Sequence, residues 1–298
     1  MNNEKLKYLD PQVLAKLDNI KLRTRLAVEG FIIGLHKSPY HGFSVEFAEH
    51  RPYMAGDEVK HIDWKLYGKT DRFFVKQFEE ETNLKCYIIL DKSGSMEFKS
   101  NEISKFEYGG IISSALSYLM LKQQDAVGLI LFDTKINRYI PPSAKFGHLD
   151  NILVEIQNAK LGGETKVAPI IHEMAEKIKK RGLIILISDL MDDPYEIVQG
   201  LKHFKHKKHE VIVFQILDPQ ELNFRYKDNI KFVDRETGDS IISQPWYIRD
   251  SYIKTIFGII SFYKKELSQN KIDFAQLRTD QNVGIALTEF LKKRAKLR

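Results

Sequence analysis

Four short apolar runs constrain this chain more than anything else in it: Cys86–Leu90, Ala126–Phe132, Gly182–Ile187 and Val211–Leu217. They are rich in β-branched residues and do not alternate, the pattern of strands buried on both faces of a parallel sheet. Parallel neighbours need a crossover, and helical patterns lie between the runs. Phe106–Lys122 carries Ile111, Ile112, Ala115, Leu116, Leu119 and Met120, and Gly147–Ala159 sets Leu149, Ile152, Leu153 and Ile156 on one face. A third helix is predicted over Val167–Lys180, and Asp193-Pro194 opens a fourth with an N-cap and a first-turn proline. Strand, helix and strand in succession predict a doubly wound α/β sheet.

The rhythm changes after Asp218. Ile230–Val233 and Ser240–Ile242 flank Glu236-Thr237-Gly238-Asp239, which reads as a β-hairpin inserted near 228–243. A helix over about Ser251–Leu267, a strand Ile272–Leu277 and a helix from Val283 resume the alternation. Residues 1–82 differ, with a loop rich in Gly, His and aromatics (GLHKSPYHGFSVEF). Asp57 is expected to cap a helix through Leu66 that ends near Gly68, and Phe73–Phe78 to form a strand. With 298 residues, the expectation is a small α+β appendage over 1–82 and a sheet domain over 83–298.

Composition narrows the function classes. Cys86 is the one cysteine, so it closes no intramolecular disulfide and builds no cysteine zinc site; a reducing compartment is expected. No segment approaches the roughly 20 apolar residues of a membrane span, and MNNEKLKYLDPQ lacks the apolar stretch of a signal peptide. A soluble, cytoplasmic protein is the expectation. The net charge of +6 permits contact with nucleic acid without demanding it.

The chemistry concentrates where the first apolar run ends, in Asp91-Lys92-Ser93-Gly94-Ser95-Met96. Ligands of an open α/β sheet bind at the C-terminal strand edge, where loops and helix starts converge. Two later loops should reach that edge: Leu161-Gly162-Gly163-Glu164-Thr165, and Ser188-Asp189 after the third run. Asp91, Ser93, Ser95, Thr165 and Asp189 together make an all-oxygen set suited to Mg²⁺ or Mn²⁺. The D-x-S-x-S spacing alone arises in about one chain in ten of this length, so its coincidence with two further strand-end loops carries the weight. Helix capping by Asp91 and the serines is the competing structural role.

These five residues resemble the metal-ion-dependent adhesion site (MIDAS) of von Willebrand factor A domains. That resemblance implies a Rossmann-like A domain in which the hydroxyls contact the metal and the aspartates bind it directly or through water. Upstream, RPYMAGDEVKHIDWKLYGKTDRFFVKQFEEE (Arg51–Glu81), preceded by SPYHGFSVEFAEH, resembles the bacterial A-domain proteins of domain-of-unknown-function family fifty-eight. The family resemblance implies a non-enzymatic adaptor for protein–protein interaction, paired with a MoxR-type AAA+ ATPase. A partner carboxylate would then complete the metal's coordination.

Two rival functions remain open at this point. A Mg²⁺-dependent phosphohydrolase would use Asp91 as nucleophile, but such enzymes want a carboxylate where Ser93 stands. A nucleic-acid binder would use the basic runs, yet no zinc-finger, helix-turn-helix or RNP signature accompanies them. Lys202–His209 (KHFKHKKH), where His203 and His206 suggest a metal site, reads as a solvated helix end. Asp133 ends the second run at the same edge and is a candidate for an outer role, whereas Asp192 and Asp193 read as capping residues. Arg51, Asp57, Asp63 and Trp64 read as structural, the irregularly spaced His36, His41, His50 and His61 predict no zinc site, and Cys86 reads as a core thiol.

Overall fold

The computed structural model of the protein describes residues 45–54, 62–80, 85–101, 103–163, 166–226, 230–233 and 240–281, with the helical positions Val283, Ala286, Leu287 and Phe290. The chain divides into two units, one spanning His36–Asn83 and the other holding Leu84–Arg298.

In the first unit β1 (Val45–Pro52) precedes α1 (Trp64–Thr70) and β2 (Phe74–Glu80). The strands pair antiparallel, with a register shift between Phe47 and Glu49. Asp63 caps α1 by accepting from the Lys65 and Leu66 amides at 3.0 and 3.1 Å. The helix therefore begins at Trp64, and it runs past Gly68 to a left-handed Asp71. Asp57, the expected cap, lies outside the described residues, as do His36, His41 and His61. Tyr67 stacks on Phe73 at 4.4 Å, and the Trp64 ring meets both edge-on.

The second unit runs β3 (Lys85–Asp91), α2 (Lys105–Lys122), β4 (Ala126–Phe132), β5 (Ile136–Ser143), α3 (His148–Gln157), α4 (Val167–Lys177), β6 (Leu183–Ser188), α5 (Pro194–His206), β7 (Glu210–Leu217), α6 (Pro219–Asn223), β8 (Ile230–Val233), β9 (Ser240–Ser243), α7 (Pro245–Gln269) and β10 (Asp273–Arg278). Six strands form one sheet in the order β10-β7-β6-β3-β4-β5, and only the β4–β5 pair is antiparallel. Numbered within this unit from β5, the order is third, second, first, fourth, fifth, sixth: a doubly wound, Rossmann-like sheet whose winding reverses between β3 and β6. The fold is α/β. β8 and β9 pair separately as an antiparallel hairpin.

Alternate residues of each central strand feed opposite cores. Ile88 and Leu90 of β3 pack with α2 and α3, together with Val283, Ala286 and Leu287. Tyr87 and Ile89 face α4, α5 and α7. Ile88, Ile89, Ile185 and Leu186 are fully buried, so the unalternating runs are strands covered on both sides.

Three elements escape the periodicity argument for physical reasons. β5 (INRYIPPS) is an exposed edge strand whose Pro141 and Pro142 are tolerated only at an edge. It approaches β4 so closely that a Cβ on Gly128 would sit 2.6 Å from the Ile140 carbonyl oxygen. α6 has an Asp218–Glu221 capping box and a first-turn proline but only five residues. α7 starts at Pro245 rather than near Ser251, because Trp246, Tyr247 and Ile248 are exposed and show no inward stripe.

Candidate metal centre

β3 and β6 are parallel neighbours at the point where the winding reverses, so Asp91 and Asp189 leave the same edge side by side. Asp91 is fully buried. One of its oxygens accepts from the Ser93 amide at 2.9 Å, and the other from the Ser188 hydroxyl at 2.7 Å. After Asp91 the chain turns through a short 3-10 segment, Gly94–Glu97, which brings the Ser93 and Ser95 hydroxyls within 3.1 Å of each other. Ser93 is buried, while Ser95 is half-buried.

The glycine loop is stitched to this turn. Gly94 N–H donates to the Gly163 carbonyl at 3.1 Å, and Gly162 N–H to the Lys92 carbonyl at 3.3 Å. Gly163 takes φ +84°, a left-handed conformation that a side chain would oppose. The next residues, Glu164 and Thr165, lie outside the described residues, so the expected Thr165 ligand has no described position.

Burial, and then the neighbouring Asp189 carboxylate, push the Asp91 carboxyl up to about 7, against the lowering effect of its bonds from Ser188 and Ser93. Two buried acids, Asp91 and Asp189, beside two hydroxyls, form a hard oxygen donor set that fits Mg²⁺ or Mn²⁺. Among the described residues, no group of three or more His, Cys, Asp or Glu is arranged to hold a metal ion. A site here would draw on hydroxyls as much as on acids.

Residues 49–255 match the family described as Protein of unknown function DUF58. The chain belongs to that family. This DUF58 chain is 23% identical over 232 residues to the uncharacterized protein Rv1480 of Mycobacterium tuberculosis, covering 77% of this chain and 73% of the relative. The same figures hold for the uncharacterized protein Mb1516 of Mycobacterium bovis. Among solved structures it is similar to BatB from Bacteroides thetaiotaomicron, with a TM-score of 0.46, 19% identity, and 72% of this chain and 99% of that one covered. It is also similar to an aerotolerance-related membrane protein from Bacteroides fragilis (TM-score 0.47, 16% identity, 72% and 100% covered) and to the SpRpn10 VWA domain (0.40, 11%, 70% and 95%). Among the described residues, no helix of this DUF58 chain is long and apolar enough to cross a membrane.

The sequence argument missed Lys105, at the start of α2. Its ammonium lies 2.7 Å from Asp189 Oδ2 and 2.6 Å from Glu221 Oε1, and its side chain is only 1% exposed. Burial alone would lower the Lys105 pKa, but Asp189 and Glu221 override it and hold the group above the usual lysine range. Asp189 Oδ1 accepts from the Met191 amide at 3.3 Å, and the Gln215 side chain donates to the Asp189 carbonyl at 3.1 Å. The available signal was positional: Lys105, Tyr108 and Ile112 share the inward stripe of α2.

The remaining candidates have structural partners. Asp133 is paired with Lys92 at 2.7 Å, and Lys92 also donates to the Lys160 carbonyl at 3.0 Å, bracing the glycine loop. Asp192 accepts from the Val167 amide at the start of α4, and Asp193 caps α5 through the Tyr195 and Glu196 amides. The basic run, read from the sequence as a solvated helix end, is not solvated throughout. Phe204 is fully buried, and His209 is 1% exposed, accepting from the Gly182 amide at 3.2 Å. His203 bonds His172 and Glu176 rather than His206. Cys86 is a buried core thiol, pushed up by burial.

Proposed function

We propose that this DUF58 chain is a non-enzymatic adaptor whose sheet edge binds Mg²⁺ or Mn²⁺ and, through the ion, an acidic group on a partner protein. A von Willebrand factor A-like fold suits a protein-interaction module. The observation that carries the reading is the pair of buried carboxylates, Asp91 and Asp189, at the winding reversal, with Asp91 driven up to about 7. A divalent cation at this edge would let Asp91 stay ionised. Asp91, Ser93 and Ser95 would hold it, with Asp189, whose Oδ2 pairs with Lys105, binding it directly or through water as the resemblance implies. Thr165 joins the set on the resemblance. The ion supplies an electrophilic position that a partner carboxylate can fill.

The non-enzymatic reading is supported by the engagement of the ionisable groups at this edge: Lys105 is held in two ion pairs and Asp133 in one. The family resemblance points to a MoxR-type AAA+ ATPase as the partner. Calorimetry of the full chain should show Mg²⁺ or Mn²⁺ binding that Asp91→Ala abolishes. Pull-down with purified MoxR-type ATPase should succeed in Mg²⁺ and fail in chelator. Metal binding indifferent to Asp91→Ala would sink the site, and capture indifferent to chelator would sink the metal-gated adaptor.

A further inference from the structure

Lys105 breaks two rules at once. It is the first residue of α2, the end at which a helix dipole disfavours a cation, and its ammonium is buried, which is costly unless paired. Departures of this kind concentrate at functional sites. The two contacts that compensate lie on different elements: Asp189 follows β6, and Glu221 sits in α6. Glu221 is itself anchored, because its Oε2 accepts from the Asp218 amide at 2.7 Å. Asp218 in turn accepts from the Ser100 amide at 2.9 Å and the Thr279 hydroxyl at 3.2 Å. The Phe98 ring lies 5.9 Å from the ammonium. Asp189 and Glu221 thus clamp one fixed positive charge.

Resting on the metal-binding reading above, we infer that Lys105 is a built-in counter-ion that competes with the divalent cation for Asp189 and shifts toward Glu221 when the cation binds. The argument is Coulombic. A doubly charged ion at this edge repels the ammonium and draws on the same Asp189 carboxylate. Glu221, already 2.6 Å from Nζ, keeps the displaced ammonium paired, so burial does not forbid the shift. Glu221 therefore sets how readily Lys105 gives way. Metal occupancy is in this way tied to the Asp218–Glu221 turn that opens α6.

Two substitutions should move metal affinity in opposite directions, which a purely structural lysine would not do. Lys105→Met removes the competitor and should tighten Mg²⁺ binding on the order of tenfold, a small part of the Coulomb repulsion between a single and a double charge at this range. Glu221→Gln leaves the ammonium to Asp189 alone and should weaken binding by a comparable factor. Thermal melts provide an independent readout: the Mg²⁺-induced rise in Tm should be larger than wild type in Lys105→Met and smaller in Glu221→Gln. Should Lys105→Met not fold, Glu221→Gln decides alone, and wild-type or tighter affinity in it overturns the inference. Weakening in both variants overturns it as well and leaves the metal site standing. A wild-type chain that binds neither Mg²⁺ nor Mn²⁺ overturns the metal reading and this inference together.

Discussion

Replacing Asp91 by Asn should stabilise the metal-free protein above neutral pH and abolish its response to Mg²⁺. An ordinary aspartate titrates near 3.8, and Asp91 is pushed up to about 7 by burial and by Asp189. The folded state therefore holds the Asp91 proton more tightly than the unfolded chain, so this group's ionisation erodes stability as pH rises from about 4 to about 7. At about 1.4 kcal/mol per pH unit the full effect is at most about 4 kcal/mol. Asparagine keeps the shape and both contacts: its oxygen can accept from the Ser93 amide, and its NH₂ can donate to the Ser188 hydroxyl. Allowing for relaxation around the ionised carboxylate, the gain should be about 1–3 kcal/mol at pH 8 in chelator and less than half of that at pH 5. Urea denaturation at the two pH values measures it. In saturating Mg²⁺ the order should reverse, because a ligand at 100 times its Kd stabilises wild type by about 2.7 kcal/mol and the variant not at all. A cap or loop-bracing role alone, which asparagine fills as well as aspartate, predicts no gain in chelator at pH 8. The absence of a gain would refute the reasoning.

Gly128→Ala should cost about 1–3 kcal/mol, since its Cβ would meet the backbone of β5, which cannot rotate away as a side chain could. Limited proteolysis should then cut first near Ile136–Ser143, and an unchanged denaturation midpoint would contradict the close approach. His209 is held neutral by burial, so folded protein takes up its proton later than unfolded chain and stability should fall as pH drops below about 6.5. His209→Gln, which keeps an acceptor for Gly182, should flatten that acid limb; an unaltered limb would assign it to other groups.

The strand runs and most of the helices were legible because a sheet covered on both faces leaves no polar face to interrupt the pattern. Ile88 and Ile89 point to opposite cores yet are equally buried, so the sequence there is continuously apolar. β5 was illegible for the converse reason: with one edge free and prolines at 141 and 142, nothing repeats at a period of two. The acids at the strand ends were readable from their position alone, since a short loop after a buried strand can only emerge at the sheet edge. The glycine loop was readable as well, and the Gly94–Gly163 bond draws it to the Ser93–Ser95 turn.

Lys105 was missed because charge and face were read separately. The helix was read as starting at Phe106, one residue after it, and its stripe was traced only through apolar residues. A stripe is defined by geometry, and a lysine at the inward position one turn before Tyr108 and two before Ile112 must bury its ammonium or unwind the helix start. The Ser104–Glu107 capping box fixes that start, leaving no freedom to unwind. A buried ammonium then requires carboxylates, and the acid leaving the neighbouring strand β6, Asp189, is the one the sheet order brings nearest. The same reasoning runs from sequence to charge balance: a helix whose cap pins a lysine inward beside an acidic strand end carries its own counter-ion. Any divalent cation bound there would have to contend with that charge, so Glu221 would tune an affinity that the residues touching the ion supply.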